Sequence, residues 1–108
     1  MMKRLLLLSA LLISATHAAL VEETVNYEQG GVTLEGFRVY DNATTDKRPA
    51  VLIIHQWTGL TTYEKGRARQ LAELGYNVLA ADIYGQGNRP VPPEAAKEAG
   101  KYKTARKP

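Results

Sequence analysis

The sequence predicts an α/β domain, and three observations carry that class. The run AVLIIH over residues 50–55 is apolar without alternation, which reads as a strand covered on both faces, as in a parallel sheet. Residues 61–74 have the signs of a helix, and a second apolar run, YNVLAA over 76–81, follows them. Strand, helix and strand in that order make one βαβ crossover, which the twist of strands makes right-handed.

Residues 1–18 stand apart from this domain. Lys3 and Arg4 precede the apolar run LLLLSALLISA over 5–15, and Thr16-His17-Ala18 supplies small residues ahead of Ala19. That order of charge, apolar run and small residues predicts a signal peptide cleaved after Ala18, with export to the periplasm or beyond the cell. The run is shorter than the roughly 20 residues of a spanning helix, so no membrane attachment is expected after cleavage. The domain is then 19–108.

Within it, LVEETVNYE and VTLEGFRVYD flank QGG, where Gly30 and Gly31 supply the positive φ of a tight connection, and the pair reads as an antiparallel hairpin. NATTDKRP is a polar loop. Its Asn42-Ala43-Thr44 matches a glycosylation sequon and is read as a surface turn. Pro49 delivers the chain into the first parallel strand. In the helix over 61–74, Thr61 and Glu64 form a capping box, Leu60, Tyr63, Ala68, Leu71 and Leu74 mark an apolar face, and Gly75 supplies the stop. After the second parallel strand comes the loop DIYGQGNRP, then PPEAAKEAGKYK, a second helix with Pro92 and Pro93 near its start. The final TARKP has no partner strand, and the basic stretch 97–108 reads as a solvated helix face.

Composition narrows the partners. The chain has 108 residues, 44% of them hydrophobic and 23% charged, which is ordinary for one globular domain. Removing Lys3 and Arg4 with the signal lowers the 14 basic residues to 12, against 11 acidic, so the exported form is nearly neutral and no nucleic-acid partner is expected. No cysteine occurs, which excludes disulfides and thiolate metal sites; no metal and no cofactor are expected. Gly85 and Gly87 form G-Q-G without the third glycine of a dinucleotide fingerprint.

In open α/β sheets, ligands bind beyond the carboxyl ends of the parallel strands. His55, Gln56, Trp57 and Gly59 lie there after the first strand, and Asp82 to Gly87 after the second. The stretch PAVLIIHQWTGLTTYEKGRARQLAELGYNVLAADIYGQG resembles the N-terminal half of the dienelactone hydrolase family, within the α/β-hydrolase superfamily. The blocks H-Q-W-T-G-L and G-Y-N-V-L-A-A-D-I-Y-G, with a proline-rich helix entry after them, carry the match in order and spacing.

The resemblance implies a partial α/β-hydrolase sheet and hydrolysis of a small ester or lactone by a cysteine or serine nucleophile with a histidine base and an aspartate. It implies that the backbone N–H of Trp57 is an oxyanion-hole donor, and that Gln56 stands near the nucleophile where lactone-cleaving members carry a glutamate. A neutral amide cannot take a proton as that carboxylate can, so Gln56 is a departure bearing on substrate class. His55 is read as holding its loop, with general-base work as the competing role. Asp82 is read as tying loops together, and the Trp57 side chain either fills the core or belongs to the site.

Serine occurs only at Ser9 and Ser14, histidine at His17 and His55, and no G-x-S-x-G or G-x-C-x-G elbow is present. A triad cannot be assembled, so the chain alone is expected to be inactive: the N-terminal part of an exported ester or lactone hydrolase. The alternative is a small exported binding protein built on a half sheet. For the fragment, self-association is expected: in the sheet that the resemblance implies, the apolar strand over 51–55 lacks the strand that follows it and would become an unguarded edge.

Overall fold

The computed structural model describes residues 19–43 and 46–104. The signal-peptide reading of 1–18 and the end of the basic tail lie outside these residues. The fold is α/β: a four-stranded mixed sheet built from an antiparallel hairpin and a parallel βαβ unit. Strand β1 (Leu20–Gln29) pairs antiparallel with β2 (Val32–Asp41), β2 pairs antiparallel with β4 (Asn77–Ala81), and β4 pairs parallel with β3 (Ala50–Ile54). The order across the sheet is β1-β2-β4-β3. Helix α1 (Thr62–Glu73) makes the crossover from β3 to β4, and α2 (Glu94–Thr104) follows the long loop after β4.

The hairpin forms where the sequence places it. Gly30 and Gly31 have φ of 57° and 77°, the left-handed conformation that a two-residue turn requires and that glycine adopts without a Cβ clash. The capping box of α1 is also present. The Thr61 hydroxyl oxygen accepts from the Tyr63 amide, while the Glu64 carboxylate accepts from the Thr61 amide at 3.0 Å and the Thr61 hydroxyl at 2.7 Å.

The core lies between α1 and one face of the sheet. Val39 and Val78 are register partners in adjacent strands and both are fully buried, with Phe37 and Ala80 as the next pair. Ala68 and Ala72, one helical turn apart, face them with no exposed surface; their small side chains let the helix axis approach the sheet closely. An ion pair between Arg69 and Glu22 ties the helix to the outer strand β1, and the Arg69 guanidinium also lies 5.2 Å from the Phe37 ring centre.

Two expectations need correction. Tyr63 and Leu74, assigned to the apolar face of the helix, are 56% and 76% exposed, while Glu64 is buried. The narrow stripe Ala68-Ala72 with Leu71 is enough to meet a four-stranded sheet. Strand β3 is not covered on both faces: Val51 and Ile53 turn toward the core, but Leu52 and Ile54 are 61% and 55% exposed on the face away from α1. Helix α2 packs instead against the loop after β4, through buried Ala95 and a Tyr102 ring stacked 5.3 Å from that of Tyr84.

Candidate functional site

Ile54 and Ala81 are partners in the parallel ladder, so the loops that follow β3 and β4 leave the sheet side by side. Two rungs join them. The Ile83 amide donates to His55 Nε2 at 3.1 Å, and the Tyr84 hydroxyl donates to the Trp57 carbonyl at 2.9 Å. The His55 and Tyr84 rings also meet edge to face, with centroids 4.6 Å apart.

The loop after β3 closes on itself through a hydrogen bond from the Gly59 amide to the Gln56 carbonyl at 3.1 Å, and His55 Nδ1 lies 2.7 Å from that same carbonyl oxygen. Gly59 is buried with φ of 84°. A Cβ there would stand 3.1 Å from the Asn88 carbonyl oxygen and 3.3 Å from the Tyr84 ring, so both conformation and space require glycine.

Trp57 is 45% exposed, which removes core filling as its role. Its backbone N–H has no acceptor among the described residues. The Gln56 side chain is exposed. Together with His55, Ile83, Tyr84 and Tyr102, these two residues line a cleft of about 230 Å³. Ile83 and Tyr102 separate it from a larger cavity of about 500 Å³ over the ends of β1, β2 and β4, lined also by Tyr27, Val32 and Leu34.

Glu64 braces the loop from beneath. It is 3% exposed, and besides capping α1 its carboxylate faces the Gln56 amide at 3.5 Å. Burial pushes its carboxyl up, but hydrogen bonds from the Thr61 hydroxyl and from backbone amides outweigh burial and hold it below the usual carboxylate range. The T-x-x-E pattern marked Glu64 as a cap; nothing in the sequence marked its reach to Gln56.

Asp82 organises the second loop. It is 1% exposed, and its two carboxylate oxygens accept from the amides of Glu35 at 2.8 Å, Tyr84 at 3.1 Å and Gly85 at 3.2 Å, with Arg89 Nη1 at 3.4 Å. Its own backbone is gripped by Tyr27, whose hydroxyl lies 2.7 Å from both the Asp82 amide and the Asp82 carbonyl. A carboxylate with this many donors is a knot between β2, β4 and the loop.

Tyr84, which sequence reasoning did not single out, is the residue both loops share. Burial, followed by the nearby Glu98 and Tyr102, holds its phenol above the ordinary value, so the hydroxyl remains a donor to Trp57. Only the aromatic content of D-I-Y-G could have pointed to it. No grouping of three or more histidines, cysteines or acids able to hold a metal occurs among the described residues.

Comparison with known proteins places this geometry. The Escherichia coli K12 protein YghX, named as a hydrolase fragment, is 32% identical over 72 residues, covering 65% of this chain and 62% of its own length. Two solved structures superpose well. The dienelactone hydrolase-like promiscuous phosphotriesterase P91 from metagenomic libraries has a TM-score of 0.75 at 29% identity and matches 80% of this chain. A protein designated m3DLH has a TM-score of 0.71 at 28% identity and matches 81%. The chain spans 36% and 37% of those two structures, so it corresponds to about a third of their length. The dienelactone hydrolase family model itself matches residues 35–107, more than half of the chain and both loops of the rim: the chain belongs to the dienelactone hydrolase family.

Proposed function

We propose that this chain supplies the oxyanion-donor side of a dienelactone-hydrolase-like enzyme acting on small carboxylic esters or lactones, with the nucleophile, base and acid contributed by the rest of a complete domain. The observation that carries the reading is the Trp57 N–H, which has no acceptor among the described residues and belongs to a residue lining an aromatic cleft at the carboxyl end of a parallel strand. A backbone donor held in that place can bind the charge that develops on an attacked carbonyl oxygen.

His55 and Asp82 are structural in this reading, since the ring nitrogens and carboxylate oxygens are engaged by backbone groups. Gln56 lies beside the reacting centre as a neutral group. The name of P91 adds a phosphotriester to the carboxylic esters worth assaying. In the same reading, residues 1–18 direct export and are removed, so the exported protein begins at Ala19. Intact mass of the exported protein checks this, and a pool that retains Met1 contradicts it.

The functional test is a chimera in which the matching third of P91 is replaced by residues 19–104 of this chain. Hydrolysis of an aryl ester or a phosphotriester by the folded chimera, and none by the chain alone, is the expected outcome. A folded chimera without either activity, or turnover by the isolated chain that survives repurification, contradicts the proposal.

A further inference from the structure

The direction of the Trp57 N–H is decided one residue earlier. The Gln56–Trp57 peptide is trans, the cis bond among the described residues being Pro92–Pro93, so the Gln56 carbonyl and the Trp57 amide point in opposite directions on one rigid plane. Whatever holds the carbonyl aims the amide.

Two donors hold it. The Gly59 amide reaches the Gln56 oxygen at 3.1 Å and His55 Nδ1 at 2.7 Å, which fills both lone pairs. One hydrogen bond would leave the plane free to swing; two from different groups remove that freedom. The state of the ring follows from its partners. A neutral imidazole has one N–H and one lone pair; the Ile83 amide can only donate, and it meets Nε2 at 3.1 Å, while the Gln56 carbonyl can only accept, and it meets Nδ1. The edge-on Tyr84 ring, itself fastened to the Trp57 carbonyl, limits rotation of the imidazole.

We infer that His55, as the tautomer protonated on Nδ1, is the positioning residue that aims the Trp57 amide. Its functional meaning rests on the reading of that amide as an oxyanion donor, but the geometric claim can be measured separately.

Two substitutions divide the ring's two contacts. His55→Asn places a side-chain N–H near the position of Nδ1 and loses the contact to Ile83; His55→Gln reaches toward the position of Nε2 and loses the donor to Gln56. Magic-angle-spinning NMR on the labelled full chain reads both, whether the protein is dispersed or assembled. In the unsubstituted chain the His55 nitrogens are expected to show a protonated Nδ1 and a bare Nε2. The angle between the Trp57 and Gly59 N–H vectors is expected to be unchanged in His55→Asn and altered in His55→Gln, while the Val78 and Ala80 signals of the central strand stay in place.

The opposite tautomer, or an unmoved Trp57 vector in a folded His55→Gln chain, overturns the inference. If His55→Gln loses the Val78 and Ala80 signals, the tautomer and His55→Asn decide, and a rotated Trp57 amide in His55→Asn overturns it equally. The hydrolase reading fails by a different observation, a chimera without activity, which leaves the N–H vector where it is.

Discussion

Asp82 fastens the loop after β4 to strand β2. Its buried carboxylate holds amides from β2 and from its own loop and pairs with the partly exposed Arg89. Asp82→Ala would leave the Glu35, Tyr84 and Gly85 amides without their acceptor and remove the counter-charge of Arg89, whose bonds to the Gly85 and Asn88 carbonyls remain, and is expected to destabilise the fold by about 3 kcal/mol, read from urea unfolding at fixed protein concentration. Glu64 makes a pH prediction. Its folded carboxyl titrates below its ordinary value, so the stability it contributes is complete above about pH 4.3 and is lost as pH falls through the lowered folded value. Between about pH 6 and about pH 3, the unsubstituted chain should therefore lose more stability than Glu64→Gln does; equal losses would contradict the brace. At this scale the sequence was readable where a residue acts through its neighbours in the chain. Gly30, Gly31 and the Thr61–Glu64 box act over three residues or fewer and were legible. The bonds from Tyr27 to Asp82 and from Tyr84 to Trp57 span 55 and 27 residues, and no local pattern announces them.

Among the elements, β3 is the one whose sequence and surroundings disagree. Its unbroken apolar run is the composition of a strand buried on both faces, while Leu52 and Ile54 stand exposed and β3 closes one side of the sheet. The other edge, β1, carries Glu22, Glu23 and Glu28, charges that discourage pairing with another strand. No charge or proline guards Ala50–Ile54. The strand's composition thus records an environment that the described residues do not supply, which is why reading it as doubly covered failed. The expected consequence is association through β3. Leu52→Lys and Ile54→Lys, on the open face, should shift a chain of residues 19–108 toward monomer in light scattering and lower amide protection along β3. Ile53 is the wrong site for that test because it packs against the core. A monodisperse monomer with strong protection at Leu52 and Ile54 before any substitution would contradict the edge argument.

For the molecule as a whole, the α/β class, the strand and helix order and the family were legible because they depend on periodicity and on motifs spread along the chain, the family motifs over residues 49–87. Of the sheet order, only the edge position of the strand over 51–55 was legible, and that through the resemblance, since pairing across a sheet leaves little trace in one sequence. In the proposed function, what the two rim loops do together depends on a single backbone group with no side-chain signature, the Trp57 N–H. The measurement that tests the account most directly is therefore the turnover of the P91 chimera with that one group removed. Trp57→Pro deletes the donor, Trp57→Phe keeps it, and the chimera is assayed with each. The account predicts that Trp57→Pro lowers kcat by about 10²- to 10³-fold while Trp57→Phe stays near the parent; a folded Trp57→Pro chimera that keeps the parent kcat would contradict it.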